Sequence, residues 1–394
     1  MKPKNLEQLA EKIKAGKRFE IIGQASKSAI GHPIRDAELL ETSELSGIIS
    51  YEPEELVLTA LAGTPMAEIE RALAVGGQTL AFEPPDFAPL FGRLPGEGTL
   101  GGLVACGLSG PRRLTAGALR DHLLGVSIVT GDGQIVKAGG RVVKNVTGFD
   151  LSRLMSGAYG TLGVLGEITI KTGPKPETEK SLLLAAAPEA LSQAMTGPFE
   201  ISAAAYLPPC LVPLSKVSAL RGAGLALCVF RLEGPEPSVL ARISELKTAL
   251  GGLGAMSELE KPVSQAVWAE IRNLSWFVDR PERQIWRLST TPSKGPGLAT
   301  RLAHELDAIW LADWAGGEIW LAMPPRPDAA HALIRSELAE VGGGHATLIR
   351  ASAETRNAVP IFQPQDPALA MLSRRLKTVF DPSDKLNPGR MSLT

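Results

Sequence analysis

Cysteine is scarce: Cys106, Cys210 and Cys228 are the only three in 394 residues. They are widely spaced, so they suggest no disulfide framework and cannot hold an iron–sulfur cluster by themselves. An excess of charge is also missing. Lys and Arg number 41 against 42 Asp and Glu, for a formal net charge of −1. A basic nucleic-acid footprint is therefore not expected. The opening MKPKNLEQLAEKIKAG lacks the apolar stretch of a signal peptide, and no apolar run reaches the roughly 18 residues of a membrane span. The expected compartment is a reducing cytoplasm. The five histidines (His32, His122, His304, His331, His345) show no close pairing, so no metal site is expected.

What is present is ordinary globular composition, 44% hydrophobic and 21% charged, over a length that favours two domains. Glycine is the exception. Its 41 copies crowd between Gly92 and Gly173, with apolar runs persisting between them. A flexible linker would lack those runs. Two readings follow: a turn-rich α+β domain, or a backbone that must approach a large ligand closely, since only glycine removes the intervening side chain.

Periodicity predicts helices over Leu6 to Ala15 and Met66 to Val75, the latter with Thr64 as N-cap and Pro65 at the first helical position. Further helices are expected over Leu103 to Gly107 and Val146 to Ser156. Strands are predicted over Arg18 to Ile22, Ser46 to Tyr51, Leu56 to Ala62, His122 to Thr130, Gln134 to Ala138 and Val164 to Lys171. Asp132-Gly133 marks a hairpin. Gly173 to Pro176 breaks the pattern, and the domain boundary is placed there. Beyond it, strands (Leu182 to Ala186, Ile201 to Leu207, Ala223 to Phe230, Gln284 to Ser289, Glu318 to Met323, His345 to Arg350) interleave with helices (Pro188 to Met195, Ser238 to Leu250, Gly297 to Leu306, Asp328 to Val341). This recurrence suggests a split βαβ, ferredoxin-like layer. Ser264 to Ser275 adds a helix without an evident role. Met371 to Phe380 reads as a helix, followed by a tail expected to be pinned.

The common nucleotide motifs fail. No G-x-G-x-x-G follows the first strand, no G-x-x-x-x-G-K-[ST] occurs, and Gly160, Gly163 and Gly166 have the wrong spacing ahead of a strand. Two segments are candidates to cradle phosphates through backbone N–H groups: Gly23 to Lys27, and Gly98 to Gly102 at a helix start. A glycine turn alone is more often only a turn. Arg112-Arg113, Arg120-Asp121 and Lys144-Asn145 read either as anion recognition or as ordinary surface charges and ion pairs.

The stretches YEPEELVLTALAGTPMAEIE (Tyr51 to Glu70), LAFEPPDF (Leu80 to Phe87), GTLGGLVACGLSGPRR (Gly98 to Arg113) and Gly117 to Glu177, with GGHATLIR (Gly343 to Arg350) and FDPSDKLNPGRM (Phe380 to Met391), are distinctive together. On them the chain resembles the FAD-binding E-type subunits of bacterial glycolate oxidases. These lie within the flavoproteins with a PCMH-type FAD domain, related to vanillyl-alcohol oxidase and the FAD-linked oxidases. The resemblance implies an α+β fold: a two-part PCMH-type FAD-binding domain (1–175), a ferredoxin-like α+β cap domain (176–365), and a C-terminal helix and tail (366–394) returning to the FAD domain.

It also implies FAD as cofactor and roles by position. Gly23, Gln24, Ala25, Ser26 and Lys27 resemble the first pyrophosphate loop, with Gln24 and Ala25 where glycines are common. Gly63 and the loop Glu83, Pro84, Pro85 would flank the cofactor. Gly98, Thr99, Leu100, Gly101, Gly102, Ala105, Gly107, Leu108, Ser109 and Gly110 would form the second loop and a wall along the pyrophosphate and flavin. Gly160, Thr161, Gly163, Val164 and Ile168 would line the adenine end, and Asn387 and Pro388 would return toward the isoalloxazine. Valine at Gly101 or Gly102 is expected to abolish flavin retention while leaving the fold intact.

The function implied is that of the FAD-binding subunit of a multi-subunit glycolate oxidase, taking glycolate or a similar 2-hydroxy acid to the 2-oxo acid. Its partners would be a second FAD-binding subunit and an iron–sulfur subunit. The expected location is cytoplasmic, at the inner face of the membrane only through partners. A stand-alone FAD-dependent 2-hydroxy-acid dehydrogenase and an assembly subunit with a degenerate flavin site remain as alternatives. No catalytic residue is assigned.

Overall fold

The computed structural model describes residues 1–140 and 150–392. The expected Lys144-Asn145 feature and the start of the Val146 to Ser156 helix lie outside them; the helix is described over Leu151–Met155. The chain divides into two units. One comprises Met1–Ser109, Gly117–Lys175 and Pro364–Thr394, and the other Gly110–Ala116 and Pro176–Gln363.

In the first unit, helix Leu6–Ala15 is capped by Asn5, whose side chain accepts from the Gln8 N–H. Its buried face (Leu6, Leu9, Ala10, Ile13) packs with Phe19, Leu40, Val129 and Leu386. Phe19–Ile22 pairs in parallel with Glu38–Glu41, a strand hidden from sequence reading because only Leu40 of its four residues is buried. The tail is pinned beside it. The Phe19 N–H donates to Lys385 and the Asn387 N–H to Phe19, while Lys385 Nζ reaches the carbonyls of Ile13 and Lys14.

An antiparallel five-stranded sheet follows in the order Ile48–Glu52, Val57–Leu61, Val164–Lys171, Leu123–Val129, Ile135–Gly139. The hairpin between the last-named pair turns at Gly133, whose φ of 78° suits glycine. Thr64 is not the cap of helix Met66–Val75. Its hydroxyl is committed to the Gly47 backbone, accepting from the N–H at 2.9 Å, and Pro65 takes the cap position. Helix Leu100–Cys106 starts three residues before the expected Leu103, because Thr99 caps it through the Gly102 N–H. Gly107, at φ 63°, ends it.

The second unit is built on one antiparallel sheet of eight strands. Their order is Met256–Leu259, Thr178–Leu184, Leu227–Gly234, Ala203–Leu207, Ile309–Asp313, Glu318–Met323, Gln284–Ser289, His345–Arg350. In chain order each half runs β-α-β-β-α-β, with helices Glu189–Met195 and Glu236–Ala249 in one and Gly295–Leu306 and His331–Glu340 in the other. The ferredoxin-like layer is thus present twice, joined edge to edge where Tyr206 meets Ala312. The four helices bury Leu191, Ile243, Leu302, Ile334 and their neighbours against one face of the sheet.

Several strand limits differ from the expectation. Thr178–Leu184 begins early because Glu179 and Ser181, polar but buried, hydrogen-bond to Ser264 and Trp268. Those partners give helix Lys261–Asn273 its role: it packs against the polar side of Thr178–Leu184. Met256–Leu259 and Ile309–Asp313 are further strands, the first an exposed edge and the second a short run directly behind a helix. Pro367–Phe380 is a full 14-residue helix, capped by Asp366 with proline at its first position.

Candidate flavin site

The first unit contains a cleft with about 720 Å³ of empty space, open solvent at its mouth included. Its walls bring together Gly23, Gln24, Ala25, Ser26, Lys27, Thr99, Gly101, Gly102, Ala105, Gly160, Gly163, Val164 and Asn387 from four separate stretches of chain.

The two expected anion loops differ in a way the sequence does not show. In the second, the amides of Leu100 to Leu103 are already spent. The Leu100 N–H donates to Thr64, Gly101 to Ala62 at 2.7 Å, Gly102 to the Thr99 hydroxyl and Leu103 to the Thr99 carbonyl. In the first, among the described residues, the amides of residues 23–27 meet no hydrogen-bond acceptor. Five adjacent backbone donors on the wall of a cleft are open to an incoming acceptor, and Ser26 among them is a buried residue. Ala25 holds φ 59°, so the loop keeps a glycine-type conformation without the glycine.

Lys27 closes this loop. Its ammonium donates to the Ser26 hydroxyl at 3.1 Å. Burial pushes its pKa below the ordinary lysine value, with the Asp86 carboxylate opposing the shift. Asp86 is held in turn, accepting from the N–H groups of Ala88 and Gly96. The Cys106 thiol lines the cleft, and burial raises its pKa, so it stays protonated and is no nucleophile. A Cβ on Gly102 would meet nothing closer than Thr99 Oγ1 at 3.3 Å and Lys27 Cε at 3.6 Å. A Cβ on Gly101 would lie 2.8 Å from the Ala62 carbonyl oxygen. Gly101 therefore serves close packing of helix on strand, which corrects the expectation that valine there would spare the fold.

The remaining wall is held by the tail. Asn387 Oδ1 accepts from the Ile21 N–H at 2.8 Å and its Nδ2 donates to the Tyr159 carbonyl at 2.7 Å. Its side chain thus fixes two walls rather than offering a free amide. Buried Arg390 donates to the Ser28 carbonyl at 2.7 Å and to Glu20 at 2.7 Å, bracing the turn that follows the first loop. Arg390, Ser28, Thr42, Cys106 and Tyr159 line the cleft and were not singled out from sequence. Arg390 sits in the distinctive NPGRM run, yet its bonds join positions about 360 apart, which no local pattern reveals.

Other expected residues lie outside the cleft lining: Gly63, Glu83, Pro84, Pro85, Gly98, Leu100, Gly107, Leu108, Ser109, Gly110, Thr161, Ile168 and Pro388. Gly63 is a packing glycine, since a Cβ there would sit 2.0 Å from the Thr42 carbonyl oxygen. Ile168 is fully buried in the five-stranded sheet. The Ser109 hydroxyl accepts from the Leu119 N–H. Gly110 belongs to the second unit, where its carbonyl accepts from the Trp314 indole at 3.1 Å. There too, Arg112 grips Glu233 with both ends of its fork and Arg113 stacks over Trp314, so both arginines are engaged within the protein. The Asp121 carboxylate accepts from the Ala118 N–H.

A family model described as an FAD binding domain matches residues 1–139. Glycolate oxidase subunit GlcE of Escherichia coli (strain K12) is 36% identical over 392 residues, covering 98% of this chain and 96% of that protein. The chain belongs to the GlcE family. Glycolate oxidase subunit GlcD of Bacillus subtilis (strain 168) is 34% identical over 151 residues, 38% of this chain and 30% of that one. Among solved structures, 4-ethylphenol oxidase from Gulosibacter chungangensis superposes with a TM-score of 0.72 at 14% identity, and p-cresol methylhydroxylase with 0.71 at 15%. Each covers 100% of this chain and 88% of the other. These likenesses place the fold among the PCMH-type flavoproteins. As a GlcE-family chain with an FAD binding domain, the protein is an FAD-dependent oxidoreductase subunit.

Proposed function

We propose that this chain is the FAD-binding subunit of a multi-subunit glycolate oxidase, with the cofactor's diphosphate held on residues 23–27. The observation that carries the reading is the row of five acceptor-less amides beside Lys27 on the cleft wall. A diphosphate supplies the oxygens those donors lack, and its charge offsets the desolvation of the Lys27 ammonium. Gly102, Thr99 and Ala105 give the facing wall room by their small size. Gly160, Gly163 and Val164 line the opposite stretch, and Asn387 and Arg390 hold both in register. Bound there, FAD supplies the acceptor for a hydride equivalent from glycolate or a similar 2-hydroxy acid. The chain's own task is to orient the cofactor and exclude water from its phosphates.

The proposed partners are a second FAD-binding subunit and an iron–sulfur subunit; the chain's own three thiols are scattered and buried or isolated. No helix among the described residues is long and apolar enough to cross a membrane. A cytoplasmic complex, touching the membrane only through partners, is consistent with this. The open amides also favour a working flavin site over a degenerate one. The test is anaerobic addition of glycolate to the purified chain, alone and with its partners. Bleaching of the flavin bands only when partners are present supports the reading. Bleaching by the chain alone points to a self-sufficient dehydrogenase, and no bleaching in either case overturns the oxidase assignment.

A further inference from the structure

Helix Pro367–Phe380 is anomalous in what it leaves outside. Of its 14 residues none is buried, although it carries Leu369, Met371, Leu372, Leu376, Val379 and Phe380. Leu369, Leu372 and Val379 are 56%, 52% and 75% exposed. A surface helix ordinarily turns its apolar stripe into its own core, because a helix of this length is only marginal by itself.

Here the chain instead fastens the helix by its ends. Asp366 caps the start through the Ala368 N–H. At the far end Lys377 Nζ donates to Asp381 and to the carbonyls of Thr161 and Leu386, both at 2.9 Å. The Phe380 carbonyl accepts from the Gly131 N–H. The element is thus held in place, with Leu376 and Phe380 half-buried, while Leu369, Leu372 and Val379 stay uncovered.

The stripe has a pattern. Leu369, Leu372, Leu376 and Val379 recur at intervals of three, four and three, the a/d spacing by which one helix packs on another at about 20°. Arg375 lies on the edge of this stripe, between Leu372 and Val379, in the flanking position that sets partner choice. Arg374 is its neighbour. Both side chains extend from an exposed helix and make no ion pair or hydrogen bond among the described residues.

We infer that helix Pro367–Phe380 is a docking helix for another subunit of the complex, and that its occupant is an amphipathic helix whose apolar stripe is flanked by Asp or Glu. Two features choose this occupant. The edge cation calls for a carboxylate opposite it. A second, antiparallel copy of the same helix would set Arg375 against Arg375, which disfavours self-pairing. A membrane surface would be served by a face rich in Lys and Arg, whereas on this helix Arg374 and Arg375 alone are unpaired among the described residues.

The inference rests on the multi-subunit reading, and its test separates the two. The full chain is co-expressed with the sister flavin and iron–sulfur subunits, and co-elution and affinity are measured on the purified proteins. The variants are Leu372→Glu with Val379→Glu, and Arg375→Glu alone. Flavin content and far-ultraviolet circular dichroism of each isolated variant are recorded alongside. The wild-type chain is expected to co-elute with its partners. The apolar-to-Glu pair is expected to weaken association at least about tenfold, the size of a lost hot spot. Arg375→Glu, which leaves the stripe intact, is expected to weaken association and flatten its salt dependence.

If the wild-type chain co-elutes with nothing, the multi-subunit reading itself fails. If wild type and all variants co-elute equally, the docking helix is overturned while the assembly stands. If the paired variant fails to fold, Arg375→Glu alone decides by the same criterion. Binding of the isolated wild-type chain to anionic lipid vesicles, lost in the stripe variant while subunit association persists, would instead assign the helix to a membrane. Dissolution by the stripe variant of a dimer formed by the chain alone would assign it to self-association.

Discussion

Lys27 sits where the free site is least comfortable. Desolvation lowers its pKa, so the cleft without an anion holds the ammonium less readily than water does. A bound diphosphate favours the cation and pushes the pKa back up. Flavin binding therefore takes up a proton wherever the free site has lost one. Affinity is expected to hold near neutral pH and to fall as pH rises through the depressed value. Lys27→Met is expected to weaken FAD by about 1.5–3 kcal/mol, the range for a hydrogen bond to a charged group, and to abolish that alkaline fall. Titration of the apoprotein with FAD across neutral to alkaline pH checks both. Ala25 offers a second test at this scale. Glycine at that position removes a left-handed penalty of about 1–2 kcal/mol and adds back about 0.5–1 kcal/mol of chain entropy. A net gain of a few tenths to about 1 kcal/mol in stability to denaturant is expected, and a loss would show that the loop does not need its positive φ.

At the scale of elements, two neighbouring glycines have opposite tasks. Gly102 faces the cleft and Gly101 faces Ala62. Gly102→Val is expected to remove bound flavin with little change in melting temperature. Gly101→Val is expected to lower the melting temperature first, through the clash with the Ala62 backbone. Parallel flavin and thermal measurements on the two variants check the assignment, and equal behaviour would refute it. From sequence the pair is indistinguishable, since both stand in one glycine-rich run. The elements themselves were more legible. Helices Leu6–Ala15 and Met66–Val75 carry clean apolar periodicity, and the strand Val164–Lys171 alternates as a half-buried strand should. What escaped was set by partners far away: the Thr64 hydroxyl taken by Gly47, the polar burial of Glu179 and Ser181, and the amides of Leu100 and Gly101 spent on Thr64 and Ala62.

At the scale of the molecule, the α+β fold and its flavin-domain family were readable because glycine-rich runs and the NPGRM tail are distinctive in kind and order. The duplication of the ferredoxin-like layer was not, because the two halves share topology and no visible repeat of residues. The tail is the long-range device of the first unit. Asn387 and Arg390 bring the end of the chain back to Ile21, Ser28 and Tyr159. Arg390→Met would strip donors from Ser28 and Ile30 and leave Glu20 without its partner. A cost of about 3 kcal/mol in stability is expected, as for a broken, largely buried ion pair, together with loss of flavin. Unchanged flavin content would show that the first loop keeps its shape without the brace.

The central claim is that the open amides of residues 23–27 wait for the diphosphate of FAD. The most direct measurement is the visible spectrum and flavin content of the isolated chain, taken beside the Gly102→Val variant. Stoichiometric FAD in the wild type and little in the variant is the predicted result. A colourless wild-type chain that takes up no FAD on titration would contradict the account.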